Sequence, residues 1–575
     1  MRELFIAELA RLRGWTLAAL VVHAAVLGVL SRQLDLAQQS ITFYTLTGAV
    51  YALAGLLLGL YQIGGYRRPS TWLYLLHRPV APWRIALALA GACAVVLAAA
   101  IGVPIALTAA GQALLTARVV DLRHCGLPVA GALIAVCGYL AGAYLSLASR
   151  RHAVLSVVVL LVVLVMNRAT GPNALAVQAL VLGWLAALVA IAFQPDLRAP
   201  PRHPLAVVVT ALPLQLGAYF AILALRVGAE LGWILLGSHP LDVPPPGGLI
   251  EAQRSDGEAL LAPGLAGQER APGETPRAVV PLLAQAQEQH SLTNFAPTEL
   301  VDRARGVRWT FSHDAMRLVG VRLADGRPAG ELGAAGDGAA FPSLVWPLDE
   351  LLVGRREVYQ YDGALGRARL RASLPAPEWI AGGERVPAGD ELLVLGDRAL
   401  YWFGPHAQPP ALRLPLPGPI AALDRADVLA VRGGYVVSLL YSGVLDDKVD
   451  PVHLVVRVHL DGTHQVLVRR ALRSDWPLIW IHDWWPSPVA AAIYDAALGL
   501  LARPRLLDAG APKQRPISLL LLAAALSLTS LALAIWRVRR ISLPARTGWA
   551  WIVTCGVVGI PALVSLWLLY PRSIE

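Results

Sequence analysis

The chain has 575 residues, of which 56% are hydrophobic and 15% charged, and its formal net charge is +10. Soluble domains carry roughly a quarter charged residues, so this composition excludes an ordinary soluble protein and indicates a membrane protein. Nor does the basic excess indicate nucleic acid: residues 239–515 hold 28 Lys and Arg against 32 Asp and Glu, and the more hydrophobic remainder holds 21 against 7.

The surplus positive charge therefore flanks apolar segments, where basic residues set orientation. Stretches apolar enough to cross roughly 30 Å of hydrocarbon at about 1.5 Å per residue run at residues 14–31, 43–63, 85–107, 127–147, 153–167, 174–193, 205–228, 517–536 and 549–570. They predict a membrane α-helical fold of about nine transmembrane helices. The fifth is short, and "VMNRATGPNA" beside it reads as a broken or re-entrant segment. Arg2, Arg11 and Arg13 precede the first run without a cleavage pattern, which indicates an anchor and not a removed signal peptide.

A cytoplasmic N-terminus leaves fifteen span-flanking arginines inside and five outside, as the positive-inside rule requires. Residues 239–515 and the C-terminus are then expected in the periplasm of a bacterium whose inner membrane holds the spans. A bacterial source fits the use of lysine at only Lys448 and Lys513. Gly55 and Gly59, like Gly138 and Gly142, are spaced for close helix approach, with packing inside the chain as the simplest reading. The seventh span runs apolar nearly to Ser238, predicting a protruding stalk with Pro213 as a kink point and an Arg226–Glu230 pair at its outer end.

Residues 239–295, opening "HPLDVPPPGG", read as a linker. Residues 296–515 change to short β-branched and aromatic runs separated by "ADGR", "YDGALG", "LGDR", "RGGY" and "LDGT", which are hairpin signals. Runs opened by Asp314, Asp349, Asp390 and Asp427 recur at about the length of a four-stranded blade, predicting an inserted all-β, β-propeller-like domain before two C-terminal spans in 516–575.

Trp476, Trp480, His482, Trp484 and Trp485 gather in "DWPLIWIHDWWPSP". They form a candidate periplasmic binding surface, although core packing is the simpler reading. Asp446, Asp447 and Asp450 lack the glycine and distal glutamate of a calcium loop. The four cysteines lie in or beside apolar segments, so no disulfide framework or Cys-based zinc site can be read. No nucleophile, metal cluster or P-loop motif occurs, so no catalytic residue, metal site or bound cofactor is expected.

The remaining signal is "RPSTWLYLLHRPVAPWRI", between the second and third spans on the expected cytoplasmic side. Ser70 can cap a short helix that Pro79 stops, with Trp72, Leu75 and Leu76 on one side and Leu73, Tyr74 and His77 on the other. Together with the amphipathic "RELFIAELARLRGW" and two preceding spans, this segment resembles the permease subunits of type 2 ABC transporters. The likeness covers residues 1–195, a six-helix core. It implies an N-terminal elbow helix on the membrane surface and a coupling helix formed by Ser70, Thr71, Trp72, Leu73, Tyr74, Leu75, Leu76, His77 and Arg78.

By the same resemblance, ATP and magnesium belong to separate cytoplasmic ATPase subunits, and a second permease copy or related permease completes the transporter. The expected function is ATP-driven export or translocation of an amphipathic, lipid-like or peptide substrate through surrounding membrane lipids, with the outer domain receiving or gating it. The alternative is a membrane-anchored periplasmic binding or sensor module without transport.

Overall fold

The computed structural model describes the chain apart from residues 1, 78, 149, 166–170, 195–202, 268, 270–276, 280–291, 293–298, 335–337, 349, 386–390, 405–408, 443–449, 478, 480–481, 502–514, 542 and 572–575. The N-terminal part is helical: α1 (Arg2–Gln33), α2 (Ile41–Tyr66), α3 (Pro69–Leu76), α4 (Pro82–Leu97), α5 (Val103–Leu115), α6 (Leu122–Leu147), α7 (Arg150–Val165), α8 (Pro172–Ala192) and α9 (Pro204–Leu235). A five-residue π segment, Ala98–Gly102, joins α4 to α5 into one long span. Among the described residues, seven helices are long and apolar enough to cross a membrane. The expected elbow and first span form the single 32-residue helix α1.

Glycine sets the closest contact in this bundle. A Cβ on Gly55 would lie 1.9 Å from the Ala135 carbonyl oxygen, and one on Gly138 would lie 2.0 Å from that of Ala52. Gly59 and Gly142 meet the Tyr139 and Leu56 carbonyls in the same way, so all four glycines belong to one crossing of α2 and α6 within the chain.

Four antiparallel sheets follow. The first contains β2 (Glu299–Asp302), β3 (Val307–Ser312), β4 (Arg317–Arg322) and β5 (Pro328–Leu332). The second contains β6 (Trp346–Leu348), β7 (Leu351–Val353), β8 (Glu357–Asp362) and β9 (Arg367–Ser373). The third contains β10 (Ile380–Arg385), β11 (Leu392–Gly396), β12 (Ala399–Phe403) and β13 (Leu412–Pro415). The fourth adds β1 (Arg277–Val279) to β14 (Leu423–Val431), β15 (Gly434–Tyr441), β16 (Val452–His459) and β17 (His464–Ala471). Each hairpin signal lies between paired strands, and at Gly326 and Gly462 the turn takes the positive φ that glycine permits.

Successive sheets stack through shared apolar cores. Tyr359 and Phe311 join the first and second, Val358 and Tyr401 the second and third, and Trp402 and Tyr435 the third and fourth. Among the described residues no core joins the first sheet to the fourth, and no closed propeller forms. The aspartate repeat is approximate in scale and inconstant in phase. Asp314 lies in the turn after β3 and Asp427 inside β14, while Asp349 and Asp390 lie outside the described residues.

Two expectations change towards the C-terminus. Part of the proposed linker is packed structure: α10 (Leu249–Arg254) and α11 (Gly257–Leu261) bury Leu249, Leu260 and Leu261 against the fourth sheet. After α12 (Pro488–Leu501) and the long α13 (Ile517–Ile541), the last expected span is a helical hairpin, α14 (Ala545–Val558) and α15 (Ile560–Leu569). The chain reverses at Gly559, where φ is +81°. Arg537 then donates to the Tyr570 carbonyl at 2.6 Å, and the Tyr570 ring meets Trp551 at 6.2 Å. Residue 570 therefore returns to the end of the bundle where α13 finishes, and residues 545–570 make no single crossing.

Candidate functional site

Helix α3 sits at the end of the bundle away from the sheets. Its first residue is Pro69, whose fixed φ and missing N–H suit the opening turn, so Arg68 occupies the cap position and Ser70 lies inside the helix. The His77 N–H closes the last turn on the Leu73 carbonyl at 2.9 Å.

The eight residues sort by helical spacing. Trp72 and Leu75 are buried, and the Trp72 ring meets Phe193, just beyond α8, at 5.0 Å. Leu76 and Thr71 are half-buried. Leu73 and Tyr74 are 55% and 69% exposed, with Ser70 and His77 on the same open side. Trp72, offered above as a contact residue, is thus an anchor, and the exposed face consists of Leu73, Tyr74 and His77. Arg78 lies outside the described residues.

Behind α3 the bundle contains a buried carboxylate that hydropathy passed over. Glu8 follows Leu4 and precedes Leu12 on the buried stripe of α1, and it is 3% exposed. Its oxygens accept from Gln62 Nε2 at 2.6 Å and from the Tyr66 hydroxyl, and Arg11 pairs with it at 2.9 Å. Gln62 Oε1 accepts in turn from the Tyr139 hydroxyl at 2.6 Å and from Cys93 Sγ at 3.2 Å. This network ties α1, α2, α4 and α6 together where an unsatisfied charge would be costly. The i, i+4 spacing of Leu4, Glu8 and Leu12 was the signal available in the sequence.

At the opposite end, the first sheet docks on the bundle through Asp121, the N-cap of α6. Asp121 accepts from the Ser312 hydroxyl at 2.8 Å, the His313 N–H at 3.1 Å and Arg123 Nη2 at 3.0 Å. Leu122 N–H donates to Asp314 at 2.7 Å, and Gln38 Nε2 donates to the Phe311 carbonyl at 3.0 Å. His124 pairs with Asp35 at 3.0 Å. Burial alone would raise the Asp121 carboxyl, but the His313 imidazole and N–H, Arg123 and Ser312 outweigh it and hold the group well below the usual carboxylate range. Burial lowers the His313 imidazole, against the pull of Asp121. The run "VDLRHC", with three polar side chains at the start of an apolar span, is the signal for this junction in the sequence.

The described tryptophans of this run do not form one face. Trp484 is 8% exposed in a core with Tyr219, Leu519 and Ala523, and Trp485 packs against the same core. Trp476 packs against a different core, that of Leu249 and Leu440, while Trp480 lies outside the described residues. His482 is buried with its ring 6.2 Å from Trp484. Arg226 of α9 donates to the Ile479 and His482 carbonyls, and Glu230 faces His239 at 3.7 Å. Trp484 and Trp485 thus join α9 to α13, and the described tryptophans are divided between two cores.

Among the described residues, no group of three or more His, Cys, Asp and Glu side chains could hold a metal ion. No protein-family model matches this chain, and no curated protein matches it either.

Proposed function

We propose that this chain is the membrane-spanning subunit of an ATP-driven transporter of the type 2 ABC class, with α3 as the helix that docks on a separate cytoplasmic ATPase. The observation that carries this reading is the division of α3: Trp72 and Leu75 lock it to the bundle, while Leu73 and Tyr74 stay exposed beside it. A seated helix with an exposed apolar face can pass a partner's motion to α2, α4 and α8.

The charge asymmetry of the sequence supports a cytoplasmic position for α3 and a periplasmic one for the sheets. In this reading the sheets are an open, propeller-like stack that receives or gates an amphipathic substrate. Two permease copies, or a pair of related permeases, complete the assembly with two ATPases.

The test is co-purification with the ABC ATPase encoded nearest to this chain in its genome. Leu73→Ala combined with Tyr74→Ala is expected to abolish association and stimulated ATP hydrolysis while leaving the permease folded. Unchanged association and hydrolysis would sink the reading and favour a membrane-anchored sensor, for which α3 needs no partner.

A further inference from the structure

A cavity of about 820 Å³ lies between the sheet-side ends of α1 and α5 and strands β2, β3 and β4 of the first sheet. Its walls differ in chemistry. On the bundle side it is lined by Ala24, Gly28, Pro104, Leu107 and Leu115, and the two leucines are 61% and 85% exposed. The sheet contributes Arg308 and Arg322, and the helix ends contribute Arg32 in the last turn of α1 and Arg118 just after α5.

The charges are not balanced. Asp325 is taken by Arg322 at 3.1 Å, and Asp35 is turned to His124 and the Ala37 N–H. Glu299 stands 3.9 Å from Arg308, beyond hydrogen-bond distance, and the Arg308 Nε is buried without a hydrogen bond. Arg118 spends its donors on the Ser31, Arg32 and Leu34 carbonyls at the end of α1. Among the described residues, neither Arg32 nor Arg118 has a carboxylate partner.

Gln112 lies among the residues lining this cavity. It is 4% exposed, and neither its amide nitrogen nor its amide oxygen has a hydrogen-bond partner. Leaving both atoms of a buried amide unpaired is costly, so a side chain in this state is primed for a ligand that supplies an acceptor and a donor. A phosphate oxygen next to a hydroxyl does so.

We propose that this cavity binds an amphiphile with an anionic headgroup, a phosphate-bearing lipid of the leaflet around the sheet-side helix ends. The headgroup sits between Arg32, whose guanidinium supplies the donor fork, and Gln112, with Arg118 beside them adding positive charge while its donors hold the end of α1, and the first carbons of its tails run down Leu107 and Leu115. Arginine suits this task because its planar donor fork matches phosphate. The apolar wall selects a lipid over a free anion, and the ends of apolar spans place the site at headgroup level. This binding does not depend on ATP coupling and stands or falls separately from the transporter reading.

The experiment uses the full chain, purified in detergent, stripped of lipid and offered equal amounts of phosphatidylglycerol and phosphatidylcholine, with bound lipid counted by native mass spectrometry. Phosphatidylglycerol is expected to be retained in preference. Arg32→Glu and Gln112→Leu are each expected to lower its retention roughly ten-fold, the scale of one charge-assisted hydrogen bond, with unchanged thermal unfolding. Two variants are used so that a folding failure in one leaves the other decisive. Equal retention of the two lipids, or wild-type retention by a folded variant, would overturn the proposal. A further arm adds inorganic phosphate at the lipid concentration; displacement of the lipid would assign the site to free anions and overturn it as well.

Discussion

Trp72 shows how one residue can be conspicuous for the wrong reason. An aromatic ring in a polar connection suggested a surface for a partner, and helical spacing correctly put it on the side of Leu75 and opposite Leu73. Which side faces the bundle depended on Phe193, more than a hundred residues away, and no local signal carries that. Trp72→Ala is therefore expected to cost about 3–5 kcal/mol of stability through the cavity it leaves. Leu73→Ala, at an exposed position, should stay within about 0.5 kcal/mol. Chemical unfolding of the two variants in the same detergent checks both, and similar losses would contradict the assigned faces.

At the scale of elements, the crossing of α2 and α6 rests on glycine. Gly138→Val places carbon where the Ala52 carbonyl oxygen already stands, 2.0 Å from the ideal Cβ. Overpacking of this kind is expected to cost about 1–3 kcal/mol or more. Gly64→Ala, on the same α2 but with nothing within 4 Å of its Cβ, should be neutral or stabilising by up to about 1 kcal/mol through helix propensity. Apparent melting temperatures of the two variants should therefore move in opposite directions or only for Gly138→Val. The glycine pairs were legible from spacing alone. The hairpin at Gly559 was not, because α14 and α15 together are as long and apolar as a single span and only the backbone turn separates them.

For the whole molecule, the junction at Asp121 decides how the sheets sit on the helices, and its charges make that docking sensitive to acid. The Asp121 pKa is lowered on folding, so its contribution is present above the unfolded value and is lost as pH falls through the folded one. His313 is also lowered, so the folded form resists protonation and loses stability as pH drops below the free imidazole value of about 6.5. Hydrogen exchange of the Phe311–Asp314 amides, corrected for the intrinsic rate, is expected to be faster at acidic than at neutral pH. His313→Phe should flatten the near-neutral part of that dependence, and an unaltered profile would remove His313 from the account. Asp121 caps α6, the helix that also makes the close crossing with α2.

Composition and local pattern were enough for the membrane character, the long α9, the hairpins of the sheet region and the two faces of α3, because each depends on spacing within one element. The tertiary structure alone decided the openness of the sheet stack, the return of α15, the burial of Glu8 and the dispersal of the tryptophans over two cores. It also decided the cavity that leaves Gln112 unpaired. All of these depend on which distant surfaces meet, and pairings between elements far apart in the chain leave little trace in any short window of sequence.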